Sequence, residues 1–159
     1  MLAQDAMINS VISITGVSLL KDAAHLITQS GISGVPVVGN DNQLLGVIGE
    51  RDIILALDLL GLEIEVKDVM NPNPVSVRAD QPLVEIFEMF RSQGLRRVIV
   101  CDEANKVIGI IGRRDLLRVH MDNCMEQNRF RRNTMRRPSS SFELGPLVAQ
   151  LEQLASVTT

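Results

Sequence analysis

One passage of this chain is written twice. Leu44-Leu45-Gly46-Val47-Ile48-Gly49-Glu50-Arg51-Asp52-Ile53-Ile54 returns 63 positions later as Val107-Ile108-Gly109-Ile110-Ile111-Gly112-Arg113-Arg114-Asp115-Leu116-Leu117. The register runs without a gap from Met7/Met70 to Asp52/Asp115. It carries identities at Ser13/Ser76, Leu20/Leu83, Gly31/Gly94, Val35/Val98, Val37/Val100, Asn42/Asn105, Ile48/Ile111 and Gly49/Gly112. Such a repeat narrows the fold sharply, because each copy must be one supersecondary unit and the copies must cover what neither covers alone.

Each copy reads β-α-β-β-α. Val11-Ile12-Ser13-Ile14 and Pro74-Val75-Ser76-Val77 alternate apolar and polar residues, which predicts short strands. Leu20, Ala23, Ala24 and Ile27, and in the second copy Leu83, Ile86, Phe87 and Phe90, place one apolar stripe on each following helix. Ser18 and Asp80 are predicted N-caps, and Gly31 and Gly94 supply the left-handed residue at each C-terminus. The β-branched runs Gly34–Val38 and Arg97–Cys101 then lead through Gly39–Asn42 and Asp102–Asn105 into hairpins. The closing helices are predicted over about Arg51–Leu60 and Arg113–Gln127.

The expected fold class is therefore α/β (α+β), two β-α-β-β-α repeats packed about a pseudo-twofold axis. Repeat one occupies residues 1–60 and repeat two 61–122. A unit of about 55 residues buries only about 60% of its unfolded surface, so the two copies are expected to stack and leave paired clefts, each receiving one glycine corner. Residues 123–159 differ in character. Arg129, Arg131, Arg132, Arg136 and Arg137 crowd ahead of Pro138-Ser139-Ser140-Ser141, and Leu147, Val148, Leu151 and Leu154 then mark a short amphipathic helix.

The repeated corner is where chemistry is expected. Strand, glycine and helix start together aim backbone N–H groups at one point, which favours a phosphate, and Asp52 or Asp115 can accept hydrogen bonds from sugar hydroxyls. The same aspartates also suit the dipole of a first helical turn and need no ligand for that. No nucleophile with its base, paired acid and base, or phosphate-gripping lysine loop is visible, so catalysis is not expected. His25, and His120 with Cys124, lack the further donors of a metal site.

Composition excludes other classes. With 159 residues, 45% of them hydrophobic, the chain is long enough to fold and not built for disorder. A net charge of −3 and the absence of Trp and Tyr remove both the electrostatic pull and the stacking surfaces of a nucleic-acid binder, and the basic cluster near the C-terminus is read as a charged linker. The longest apolar runs fall short of a bilayer span and no secretory signal opens the chain, so the expected location is cytoplasmic. Cys101 and Cys124 are then read as thiols rather than a disulfide.

The tandem units, the Gly34-Val35-Pro36-Val37-Val38 strand and the Gly-x-x-x-x-x-Asp corners ending at Asp52 and Asp115 together resemble a pair of CBS domains, or Bateman module, over roughly Met7 to Arg118. The resemblance implies binding of an adenosyl ligand such as AMP, ADP, ATP or S-adenosylmethionine, and regulation of an attached or partner enzyme, channel or transporter. It implies a homodimer, no enzymatic activity of the module itself and no required cofactor. It places Asp52 and Asp115 on ribose hydroxyls and Arg96 and Arg97 toward phosphate; in the sequence itself Arg113 and Arg114 lie beside the second corner, whereas copy one offers Ser33-Gly34 and Glu50-Arg51. It sets the backbone near Val75-Ser76-Val77, and near Ile12-Ser13-Ile14, against the adenine edge. Both repeats can line one cleft, so the partition between sites stays open.

The chain departs from the family at one place. The corner usually carries Thr or Ser three residues before the Asp, and here Gly49 and Gly112 stand there. Copy two, richer in arginine, is the favoured site; a structural or dimerising module with empty clefts is the alternative. Arg114–Arg118, leading into a charged helix, is similar to the cytoplasmic tails of bacterial chloride channels and transporters that carry CBS pairs. That likeness adds a membrane transporter to the implied partners and makes the chain a candidate fragment.

Overall fold

The computed structural model describes residues 1–134, and within these Met1–Met121 form one compact unit. The linker and amphipathic helix expected around Pro138–Ser141 and Leu147–Leu154 lie outside the described residues, with Arg136 and Arg137, as do the side chains of Cys124, Arg129, Arg131 and Arg132.

The elements run α1 (Ala3–Ala6), β1 (Ile14–Thr15), α2 (Leu20–Ser30), β2 (Gly34–Val38), β3 (Leu44–Gly49), α3 (Glu50–Leu59), β4 (Ser76–Arg78), α4 (Leu83–Gln93), β5 (Arg97–Cys101), β6 (Val107–Gly112) and α5 (Arg113–Thr134). They form two three-stranded sheets, β1-β2-β3 and β4-β5-β6. In each the outer strand is parallel to the middle one and the hairpin antiparallel, with Gly34 opposite Gly49 and Arg97 opposite Gly112. The expected repeat architecture is what the chain adopts.

The repeated identities are mostly core. Leu20/Leu83, Val35/Val98, Val37/Val100 and Ile48/Ile111 are buried in both copies, and fully burying such a side chain stabilises by about 1.5–3 kcal/mol. Gly31 and Gly94 end α2 and α4 at φ +62° and +64°, where a β-carbon would be strained. Asn42 and Asn105 take φ +64° and +59°, tolerated by Asn, and join the repeats reciprocally. Asn42 Nδ2 donates to the Val107 carbonyl, Asn105 Nδ2 to the Leu44 carbonyl at 3.3 Å, and the Leu44 N–H to the Asn105 carbonyl at 2.9 Å. Val38, Leu44, Ile99, Cys101 and Val107 bury the seam between the sheets.

Four local expectations differ. The first strand of each copy is shorter and shifted: Ile14 and Thr15 pair with β2, and Ser76–Arg78 with β5, while Ile8 and Asn71 in the lead-ins make isolated bridges to Ile110 and Val47. Ser18 does not cap α2: its hydroxyl is held by Thr15 at 2.8 Å, while the Asp22 carboxylate accepts the Leu19 N–H at 3.2 Å. Asp80 does not cap α4 either, since it pairs with Arg78 Nε at 3.1 Å and Pro82 takes the N-cap position. The last helix runs on to Thr134, past the expected end at Gln127.

A further feature carries no sequence signal strong enough to announce it. The lead-in of each copy packs on the other copy. Ala3 and Ala6 belong to the core of repeat two with Val77, Ile86 and Ile111, whereas Val66 belongs to that of repeat one with Leu20 and Ile48. Met7 lies against Gly109, and Met70 and Asn71 against Gly46, at approaches only glycine permits.

Candidate functional site

The crossed lead-ins create two clefts related by the 63-residue register. One, of about 350 Å³, is lined at the corner by Gly49 and Asp52, along one wall by Asn71, Asn73, Pro74 and Val75, and along the other by Ser33–Pro36 and Leu95–Arg97. The second, of about 650 Å³, holds Gly112, Arg113, Arg114 and Asp115 at the corner, with Ile8, Ser10, Val11 and Ile12 facing Ser33, Gly34, Arg96 and Arg97. Both volumes lie within the range of small-molecule sites. Val35, Val47, Ile99 and Ile110 give the first cleft apolar walls suited to a flat ring, and Ile8, Val11, Ile32 and Ile110 do so in the second.

Of the residues picked from sequence, Asp52, Gly49 and Val75 come together in one cleft, and Asp115, Gly112, Arg113, Arg114 and Ile12 in the other. Each corner thus meets the lead-in of the opposite copy. Arg96 and Arg97 line both clefts. Arg51, Ser13 and Ser76 line neither, and Ile14 and Val77 turn into the core. Sequence reasoning passed over Asn71, Asn73, Ile8 and Ser10. Their signal was the register itself, which places Asn71 on Ile8 and Asn73 on Ser10.

Each aspartate is held by its own corner. The Gly49 N–H donates to Asp52 Oδ2 and the Gly112 N–H to Asp115 Oδ2, both at 2.9 Å, which caps the helix and fixes the carboxylate. The second oxygens differ. Arg118 Nη2 lies 3.3 Å from Asp115 Oδ1, while Leu55 occupies the matching position in copy one and Asp52 Oδ1 has no partner among the described residues. Asp115 is 8% exposed and Asp52 half-buried.

The expectation that corner amides point freely at a phosphate is corrected for the first two of them. Besides the glycine N–H groups spent on the aspartates, the Glu50 N–H bonds the Ser33 carbonyl at 3.1 Å and the Arg113 N–H the Arg96 carbonyl at 3.3 Å. Beyond the N–H groups of the next residues of each first helical turn, the cations near the corners are unequal. Arg113 is committed through Nε to the Leu95 carbonyl at 2.7 Å and through Nη2 to the Gly94 carbonyl at 2.9 Å, closing the end of α4. Arg96, Arg97 and Arg114 form no ion pair among the described residues.

At Gly49 an added β-carbon would sit 3.1 Å from the Ser33 carbonyl oxygen, and at Gly112 3.3 Å from Asp115 Oδ2 and 3.8 Å from the Arg96 carbonyl oxygen. Copy two's corner therefore has the more forgiving neighbour, a side chain. Among the described residues no cluster of His, Cys, Asp and Glu could hold a metal ion, and no helix is long and apolar enough to cross a membrane. Cys101 is buried in the seam, and burial, helped by Asp102, pushes its thiol above the ordinary range.

Comparison with known proteins matches this geometry to one family. The family described as CBS domain matches twice, at residues 3–59 and 66–122. An inosine-5'-monophosphate dehydrogenase of Methanocaldococcus jannaschii is 32% identical over 116 residues, 73% of this chain and 23% of its own length. An H(+)/Cl(-) exchange transporter 7 of Bos taurus is 37% identical over 57 residues, 36% of this chain and 7% of its own. The chain spans about a quarter of the first relative and under a tenth of the second. Among solved structures, CBSX2 in complex with AMP superposes with a TM-score of 0.69 at 24% identity, over 77% of this chain and 98% of that one. A CBS domain pair in complex with 5-methylthioadenosine and S-adenosyl-L-methionine does so with a TM-score of 0.65 at 22% identity, over 77% of this chain and 98% of that one. These likenesses establish the shared fold.

Proposed function

The chain belongs to the CBS domain family as a tandem pair, and from that premise we propose that it is a regulatory module that binds an adenosyl ligand in its clefts and signals occupancy to an attached or partner enzyme, channel or transporter. The observation that carries this reading is the repeated corner. A carboxylate is fixed by the glycine N–H three residues before it, beside an apolar slot and arginines, Arg96, Arg97 and Arg114, that form no ion pair among the described residues. A fixed acceptor suits paired ribose hydroxyls, the apolar slot suits adenine, and the arginines suit phosphate. AMP, methylthioadenosine and S-adenosylmethionine in the similar structures support the adenosyl class. The Asp115 cleft, with the additional Arg114, is the site for a phosphorylated ligand.

Signalling requires that the ligand bind two arrangements unequally. The arrangement it biases is a pair of chains. Ile54 and Leu59 on α3, and Leu117 and Met121 on α5, are 61%, 80%, 63% and 54% exposed, so a second copy packing on these helices would take apolar area out of water.

Thermal unfolding with adenosine, AMP, ADP, ATP and S-adenosylmethionine tests the reading. At about 100 times the dissociation constant a ligand stabilises by about 2.7 kcal/mol, readily seen as a rise in Tm. The missing corner hydroxyls favour a second reading, a structural or dimerising module with unliganded clefts. No shift with any of these compounds at millimolar concentration selects it.

A further inference from the structure

The two clefts share a wall. Ser33, Gly34, Pro36, Arg96, Arg97 and Ile110 line both. Only Arg96 and Arg97 among these carry charge, and the register sets them against Ser33 and Gly34, so copy one brings no cation to the junction. Among the described residues the Asp52 cleft has no other cationic lining residue, and the Asp115 cleft adds Arg114 and the committed Arg113.

We propose that the two clefts compete for this single cation pair, so that a phosphate chain reaching Arg96 and Arg97 from the Asp115 cleft weakens binding of a second phosphorylated ligand in the Asp52 cleft. The inference rests on the adenosyl-ligand reading and adds a rule of occupancy to it. Uncharged adenosine fills the two clefts independently. ATP fills the Asp115 cleft first and meets its own charge, with the guanidinium donors already taken, when a second molecule enters the other. Negative coupling between the clefts therefore grows with the number of phosphates, and it is reciprocal.

The test plugs one cleft at a time. Ile12 lines only the Asp115 cleft and is 44% exposed, and Val75 lines only the Asp52 cleft and is 39% exposed. Ile12→Trp and Val75→Trp therefore fill one cleft each from its rim without entering the core. Calorimetric titration of the intact chain with adenosine and with ATP is compared across wild type and the two variants. In Ile12→Trp, ATP binds the Asp52 cleft about tenfold or more tighter than the second ATP binds wild type, whereas adenosine binds that cleft equally in both. In the unplugged chain, Arg96→Gln with Arg97→Gln weakens binding of the first ATP about tenfold or more and leaves adenosine binding unchanged. Equal ATP affinity of the Asp52 cleft with the other cleft open or plugged overturns the competition and leaves the adenosyl reading standing. No binding of adenosine or ATP to wild type overturns both.

Discussion

Arg118 Nη2 lies 3.3 Å from Asp115 Oδ1, and the corresponding pair in copy one is Leu55 and Asp52, with no cation. The two carboxylates share one N–H bond of equal length to their glycines but not the same charge environment. Asp115 is a helix cap, an ion-pair partner and a proposed ribose acceptor; Asp52 is a cap with one oxygen unpartnered among the described residues.

Replacing these caps separates structure from binding. Asp115→Ala is expected to lower stability by about 1 kcal/mol through loss of the cap, and to weaken adenosyl-ligand binding about tenfold or more through loss of a charged acceptor. Asp115→Asn keeps an acceptor for the Gly112 N–H and restores most of the stability but not the affinity. Chemical denaturation and calorimetric titration on the same two variants check both halves; unchanged affinity in Asp115→Ala removes this residue from the site.

Returning a hydroxyl to the corner should strengthen binding. An added β-carbon at Gly112 meets the Asp115 carboxylate at 3.3 Å and the Arg96 carbonyl oxygen only at 3.8 Å, whereas at Gly49 it meets the Ser33 carbonyl oxygen at 3.1 Å. Gly112→Ser is expected to raise affinity about tenfold, at the low end of what a charge-assisted hydrogen bond supplies, and Gly49→Ser to gain less because backbone must yield. Titration of both variants with AMP ranks them, and the opposite order would refute the steric argument.

The crossed lead-ins have a steric signature of their own. An alanine at Gly46 would bring its β-carbon to 2.6 Å from the Asn71 carbonyl oxygen, and one at Gly109 would strike the flexible Met7 side chain. Gly46→Ala is expected to cost about 1–3 kcal/mol, Gly109→Ala less, and Met7→Ala is expected to relieve part of the Gly109→Ala loss. A urea-denaturation double-mutant cycle measures the coupling between positions 7 and 109. Additive losses would mean that residues 1–10 do not pack on repeat two.

Burial in the seam protects Cys101. Its folded thiol titrates above the ordinary range. The unfolded chain therefore ionises first as pH rises: the contribution to stability is complete below the ordinary thiol pKa of the unfolded chain and is lost as pH rises from there through the raised folded value. In a Cys124→Ser background, Cys101 is expected to resist a thiol reagent at pH 8 until urea unfolds the protein. Prompt labelling of the native chain would show that the seam opens.

Sequence reasoning reached the repeat, its elements and the chemistry-bearing corners because the same physics was written at both ends of the register. Leu20/Leu83 and Ile48/Ile111 are core in both copies, and Gly31/Gly94 both need a left-handed backbone. It missed the crossing, since Ala3, Ala6 and Val66 are ordinary apolar residues that could serve either core. It misassigned the α2 cap because Thr15 competes for the Ser18 hydroxyl, a contact across a turn that no local pattern ranks. It overvalued the corner amides, whose bonds to the Ser33 and Arg96 carbonyls come from the facing loop.

The central claim is that the clefts are adenosyl-ligand sites. Its most direct measurement is calorimetric titration of AMP into wild type and into the double variant Ile12→Trp with Val75→Trp, which plugs both clefts. The account expects saturable binding to wild type and none to a double variant whose circular dichroism and Tm remain those of a folded protein. Absence of binding to wild type at millimolar AMP, or binding that survives both plugs, would contradict it.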